Sequence, residues 1–435
     1  MSVAITAGLV FLFILFFLFG APLFTIIGGG AVLLFYLFAH QSMATPIVEM
    51  CRLANAPGII AIPLFIFAGF IYAESKSSTR MINLSNAMLG WLPGGLTVAA
   101  VVVSTVFTAM TGASGVTIIA IGGILLPALI REGYSRSFSL GFIIAAGSSG
   151  VLFAPSLPII IYGMIAKTNI TELFLACLIP GLLIVGLLIL YGIFYGARHH
   201  IPTTPFSKEV LIRATWEAKW LIPLPFFVVG GIYGGIITVS EAASVTVSYA
   251  LFTECFIYQE IPFKKLFQLT VHSMVTVGAL LLVLGAALGL TNFLVDQKIP
   301  QLIMTIISDH IGSKTAFVMV LNIFLLIVGC MMDMFSAIVV VVPLIAPVAE
   351  TFNMDPIHLG VLFLANLELG YLTPPVGVNL FVASLRFNVS VMQLYRVVIP
   401  ALIILFLALL IISYWPQLSL FLLDVTGQRM ILLEI

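Results

Sequence analysis

Asp333 stands in an otherwise apolar run, after Met331-Met332 and before Ile338 to Val342. A carboxylate in such a segment marks either a functional site or the cap of a helix. An earlier stretch of similar character offers Thr108, Thr111, Ser114 and Thr117, neutral oxygens able to ligate Na+ or to hydrogen-bond a polar substrate. Two glycine- and proline-rich breaks follow these stretches. One is Gly147-Ser148-Ser149-Gly150 with Ala154-Pro155, and the other is Gly370-Tyr-Leu-Thr373-Pro374-Pro375. A proline inside a helix removes an amide donor and frees a carbonyl four residues earlier, so the second break in particular can expose oxygens. Glu368, beside Asn366, is a further carboxylate in apolar company. It reads as a proton or substrate group, or as the partner of a neighbouring helix. Glu241 reads as the first turn of a helix capped by Thr238 or Ser240.

Several chemistries are missing. No GxxxxGK[ST] is present, so ATP hydrolysis is excluded. HExxH is absent, and no intramembrane Asp or Ser/His pair suggests a protease. The four cysteines lie far apart and read as small buried hydrophobes. Formal net charge is zero, which implies no nucleic-acid partner.

The elements that must position these residues are set by composition. Of 435 residues 62% are hydrophobic and 8% charged, against roughly 25% charge in a soluble domain. The chain therefore reads as an all-α, multi-pass membrane protein. Spans of about 20 apolar residues fall near 3–19, 22–39, 58–73, 172–196, 220–237, 240–258, 266–293 and 392–414, with a tight break at Gly20-Ala21-Pro22. Segments 95–130 and 315–349 have polar, glycine-containing middles and read as re-entrant hairpins. Each precedes a broken helix, at 138–166 and 357–385. At an offset of 219, Gly141 and Pro155 meet Gly360 and Pro374, Lys167 meets Arg386, and Asn169 meets Asn388. An internal repeat is expected. The basic loop 198–219 sets the cytoplasmic side; spans counted from it place 12 of the 17 Lys and Arg residues inside and 5 outside. The two repeats then face opposite ways, and such inverted, broken helices point to a secondary transporter with a mid-membrane site. The stretch 205–220 reads either as an amphipathic interfacial helix or as a solvated loop, with phospholipid as its partner in the first case.

The motifs resemble a known family. Ile62-Pro-Leu-Phe-Ile-Phe-Ala-Gly69, Gly112-Ala-Ser-Gly-Val-Thr, Gly133-Tyr134-Ser-Arg136, Asp355-Pro356-Ile-His-Leu-Gly360 and Thr373-Pro-Pro-Val-Gly-Val-Asn-Leu-Phe381 are similar to the large membrane subunit of the tripartite ATP-independent periplasmic (TRAP) transporters. The resemblance runs through nearly the whole chain. It implies an elevator-type fold of the ion-transporter superfamily, with transport-domain cores at 95–197 and 315–391 moving against scaffold at 1–94, 198–314 and 392–435. It also implies residence in a bacterial inner membrane and symport with two or more Na+ ions. Its partners would be a separate small membrane subunit of about four helices and a periplasmic binding protein that delivers an organic acid, C4-dicarboxylates and sialic acids among them. Carried over residue by residue, one Na+ site falls on Thr108, Thr111, Gly150 and Pro155. The other falls on Gly329, Gly370, Thr373 and Val376. Substrate contacts fall on Ser114, Asp333, Ser148, Ser149 and Asn379. The alternative is a stand-alone Na+/anion symporter or ion antiporter of similar architecture. An intramembrane enzyme ranks third, for want of a catalytic pair.

Overall fold

The computed structural model describes residues 23–39, 44–53, 59–203, 205–298 and 312–426. The expected span 3–19, the break at 20–22 and Arg429 lie outside these residues. All regular elements among the described residues are helical. In chain order they are α1 (Leu23–Leu34), α2 (Ala44–Arg52), α3 (Ala61–Glu74), α4 (Ser77–Leu89), α5 (Gly95–Thr111), α6 (Ser114–Arg131), α7 (Arg136–Ser148), α8 (Leu157–Ala166), α9 (Ile170–Arg198) and α10 (Lys208–Ala218). They continue as α11 (Pro223–Tyr233), α12 (Val239–Leu251), α13 (Phe263–Asp296), α14 (Lys314–Met331), α15 (Met334–Thr351), α16 (Pro356–Gly370), α17 (Val378–Phe387), α18 (Val391–Tyr414) and α19 (Gln417–Thr426). Six of them, α6, α9, α13, α14, α15 and α18, are long and apolar enough to cross a membrane.

The expected hairpins are helix pairs with two-residue tips. Gly112, at φ +68°, lets α5 end and α6 begin within one turn of chain. At the second tip Met332 and Asp333 are extended, and Asp333 caps α15 by accepting from Ser336 N at 3.0 Å. The expected broken helices are α7/α8, interrupted over 149–156, and α16/α17, interrupted over 371–377. Both breaks contain a cis X-Pro bond, Ala154-Pro155 and Pro374-Pro375.

Helix starts in the stretch from Gly95 recur in the stretch from Lys314, but the offset drifts from 219 at the first hairpin to 221 after the breaks. This corrects the pairing of polar residues. Lys167 corresponds to Asn388, not Arg386: each is the left-handed C-cap that ends the second half of a broken helix, at φ +56° and +51°. Asn169 corresponds to Ser390, the N-cap of the following helix. The capping positions, rather than the side-chain types, carry the register.

The two stretches interlock. Arm α6 of the first hairpin packs on α17 of the second break, and arm α15 of the second hairpin packs on α8 of the first. Helix α18 lies against α7, α9 and α16, while α13 lies against α1, α2 and α3. The stretch 208–218 is a helix, with Ala214 and Ala218 buried toward Leu84 of α4. Val210, Ile212 and Trp216 are exposed on it, and Lys219 Nζ sits 3.4 Å above the Trp216 ring. That arrangement suits a helix lying in an interface. Three expected spans are short: α3, α11 and α12 have 14, 11 and 13 residues. Pro223 and the Gly234-Gly235 turn clip α11, and α12 continues as a π-helical turn over Phe252–Ile257.

Candidate functional site

Both hairpin tips and both helix breaks meet at one cavity of about 180 Å3. Gly112 to Gly115 line it from the first tip and Asp333 to Phe335 from the second; Val151 of the first break and Pro158 at the start of α8 complete one wall, and Tyr371 of the second break with Val378 and Asn379 at the start of α17 the other. Each wall includes the first turn of a helix: α6 starts at Ser114, α8 at Leu157, α15 at Met334 and α17 at Val378. The first four amides of a helix have no intrahelical acceptor, and a helix start carries roughly half a positive charge. No Lys, Arg or His lines the cavity, so attraction for an anion there would have to come from backbone amides. Asp333 occupies one of the four starts, accepting from Ser336 through backbone and hydroxyl. The capping account of Asp333 holds, and the same residue is a cavity wall.

Asn379 ties the cavity together. Its Oδ1 accepts from Ser114 Oγ at 3.0 Å, and its Nδ2 donates to Ser148 Oγ at 2.8 Å. One side chain from the second break thus holds the first tip and the first broken helix. Ser149 does not join this group: its hydroxyl faces Thr105 Oγ1 at 2.8 Å, because one residue along a helix turns the side chain by about 100°. Tyr371, which the sequence reading passed over inside the Gly370-to-Pro375 motif, accepts from Met334 N and so joins the second break to the second tip. An aromatic hydroxyl within a break motif was the available signal.

The residues of the first expected Na+ site gather behind the first tip. Thr108 Oγ1 donates to the Gly147 carbonyl at 2.8 Å and pairs with Thr117 Oγ1 at 2.7 Å. A Cβ on Gly150 would lie 2.3 Å from Thr105 O and 2.6 Å from Thr108 Cβ, so the break touches α5 only through glycine. The Thr111 hydroxyl is buried without a partner. Pro155 lies apart, lining an apolar cavity of about 100 Å3 with Phe153, Val228 and Tyr233. In the second expected site Gly329 and Gly370 are in backbone contact, with a Cβ on Gly370 falling 2.7 Å from Gly329 Cα. Gly377, at φ +61°, donates to Cys330 O at 3.1 Å, and Thr373 Oγ1 donates to Leu369 O at 2.8 Å. Val376 is half-buried.

Two further carboxylates separate cleanly. Glu241 forms a capping box with Thr238, accepting its N–H at 2.7 Å, which selects Thr238 over Ser240 as the cap. Glu368 is buried in α16, and neither oxygen has a hydrogen-bond partner. The polar pairing of α16 with its neighbours runs instead through Asn366, which donates to Asn322 Oδ1 at 2.8 Å, while Asn322 donates to Ser413 Oγ at 3.0 Å.

Paired hairpins and broken helices around one cavity, with Ser114, Asp333, Tyr371 and Asn379 on its wall, define a polytopic membrane protein built like a secondary transporter. The chain belongs to the family described as Tripartite ATP-independent periplasmic transporter, DctM component, whose model matches residues 10–418. It is a TRAP-type large permease subunit. It is 34% identical over 413 residues to the isethionate TRAP transporter permease protein DctMQ of Oleidesulfovibrio alaskensis, covering 94% of this chain and 65% of that protein. The chain thus spans about two-thirds of that relative's length. It is also 34% identical to the C4-dicarboxylate TRAP transporter large permease protein DctM of Vibrio cholerae, with 92% and 93% of the two chains covered. The ectoine/5-hydroxyectoine TRAP transporter large permease protein UehC of Ruegeria pomeroyi is 31% identical, with 96% and 98% covered. These relatives are permeases, not enzymes. A crystal structure of the Alcanivorax borkumensis YdaH transporter has a similar fold, at a TM-score of 0.50 and 12% identity, covering 85% and 87% of the chains.

Proposed function

We propose that the chain carries an organic acid across a bacterial inner membrane by symport with Na+, through an elevator movement. The observation that carries this reading is the convergence of four helix starts on the central cavity. Oriented amides attract a carboxylate or sulfonate without a buried cation. Relatives are named for a C4-dicarboxylate and for isethionate, both anions, and this class of substrate fits such a cavity. Ser114, Asn379 and Ser148 supply the polar contacts, and Asp333 sets which negatively charged ligand is tolerated.

Na+ is the co-transported cation. The buried, unpartnered Thr111 hydroxyl suits the first site, with carbonyls around Gly147 and Gly150 as its other donors. At the second site carbonyls near Gly329, Gly370 and Val376 would serve, with Thr373. The two repeats are inverted in the membrane, and the moving body is 95–197 with 315–414. Helix α18, which takes the place of α9 in the second repeat and packs on α7, α9 and α16, moves with this body. Phospholipid, a small four-helix subunit and a periplasmic binding protein are its partners.

Uptake of labelled C4-dicarboxylate, isethionate and ectoine into proteoliposomes tests this, with and without a small subunit and a binding protein. Uptake should require an inward Na+ gradient and both partners. Accumulation indifferent to Na+ would refute the coupling, and full activity of the chain alone would make it a stand-alone symporter.

A further inference from the structure

A further cavity, of about 560 Å3, lies between α4 and α10, on the face that the basic loop 198–219 marks as cytoplasmic. Asn83, Asn86 and Ala87 line it from one face of α4, and Val210, Arg213, Ala214 and Glu217 from one face of α10, both sets at helical spacing. Alanine on each helix leaves the room, and Leu84 and Ala218 pack behind it. Trp91 and Phe206 complete the walls, 52% and 50% exposed, with the indole held by its Nε1–H to Met88 O at 2.9 Å. Half-exposed aromatic rings of this kind suit the headgroup level of a membrane, and the exposed Val210, Ile212 and Trp216 put α10 at the same level. The polar groups of the cavity are of both signs. Arg213 gives Glu217 only its Nε, at 3.3 Å, so the terminal nitrogens of its fork can still meet a phosphate. Asn86 Oδ1 is shielded from solvent and has no donor among the described residues. A buried acceptor left so is unfavourable, and an N–H group entering the cavity relieves it.

We propose that this cavity binds the headgroup of an aminophospholipid of the cytoplasmic leaflet, a phosphate joined to a primary ammonium. Arg213 takes the phosphate, Asn86 Oδ1 and the Glu217 carboxylate take the ammonium, and the acyl chains leave over Phe206 and Val210 into the bilayer. The site gives the phospholipid partner of the reading above a place and a headgroup class. It rests on that partner alone, and needs neither Na+ coupling nor an elevator movement.

Titration of the delipidated full chain with phospholipids of one acyl composition and different headgroups tests the assignment, read by native mass spectrometry and by the rise in Tm. The ethanolamine lipid should bind about tenfold more tightly than the choline lipid, whose trimethylated nitrogen cannot donate. The glycerol lipid, which keeps the phosphate and has hydroxyl donors but no ammonium, should fall between them. Asn86→Leu and Glu217→Gln should each narrow the difference between ethanolamine and choline, and Arg213→Gln should weaken all the lipids. Equal binding of ethanolamine and choline lipids to the wild type overturns the headgroup assignment without recourse to any variant, while leaving phospholipid a partner. A preference that survives Asn86→Leu with Glu217→Gln places the site elsewhere and overturns it too. Competition by water-soluble phosphoethanolamine at the same concentration overturns the lipid and makes the cavity a solute site. Proteoliposome uptake is a separate measurement, so failure here and failure of the transport reading are told apart.

Discussion

The contact between the second hairpin and the second break depends on glycine at both positions, so Gly370→Ala should separate them. The added Cβ would stand 2.7 Å from both the Cα and the carbonyl carbon of Gly329, and 3.1 Å from Cys330 N. All three are backbone atoms, which cannot rotate away. Reaching ordinary contact at 3.4 Å requires an opening of 0.7 Å. Overpacking of this kind costs about 1–3 kcal/mol, against a gain of roughly 0.5–1 kcal/mol from replacing a helical glycine. The net expectation is a loss of about 1–2 kcal/mol, or roughly 2–4 °C in Tm per kcal/mol for a body of this size. The reverse change, Gly329→Ala, meets Leu367 Cα at 3.1 Å and Gly370 Cα at 3.2 Å, so it should cost less. Gly230→Ala meets nothing within 4 Å and should be neutral or stabilising. Melting of the purified chain in one detergent, followed by tryptophan fluorescence, gives the ranking. If Gly370→Ala melts with Gly230→Ala, the tip does not close on the break as described.

Other expectations follow from the same geometry. Asp333→Ala should lose its cap, about 1 kcal/mol, and transport with it; Asp333→Asn should recover the stability but not the transport, and recovery of both would reduce Asp333 to a cap. Asn379→Ala breaks two buried hydrogen bonds and leaves Ser114 and Ser148 short of partners, a loss of about 2–4 kcal/mol readable by the same melting assay. The ion pair Arg80 Nη2–Glu260 Oε1, at 2.5 Å and mostly shielded, joins α4 to the corner before α13, while Arg80 also stacks 3.7 Å over Tyr258. A double-mutant cycle of Arg80→Gln and Glu260→Gln should give about 1.5–3 kcal/mol of coupling, and additive effects would show the pair to be solvated.

Much of the architecture was legible because lipid imposes simple rules. Runs of apolar residues must be helices, and a glycine or proline inside such a run must be a tip or a break. Gly112, Asp333, Gly150 and the Thr373-Pro374-Pro375 motif could be placed on those grounds alone. The short helices α4 and α19 carry too little apolar length to announce themselves, and they form because α5, α9 and α10 receive them.

Of the residues expected to form a site, Ser114, Asp333 and Asn379 line the central cavity, while Ser149 and Pro155 stand elsewhere. Local composition and short motifs settle the solvent, the helical class, the two hairpins and breaks, and the family to which they belong. Long-range packing sets α6 on α17 and α15 on α8, so that four helix starts face one cavity. It alone turned Asn379 toward Ser114 and Ser148, turned Ser149 away toward Thr105, and left Glu368 without a partner. Those outcomes depend on helix rotation and on contacts between residues 44 to 265 positions apart, and no local pattern in the chain encodes the direction of a side chain across such a distance.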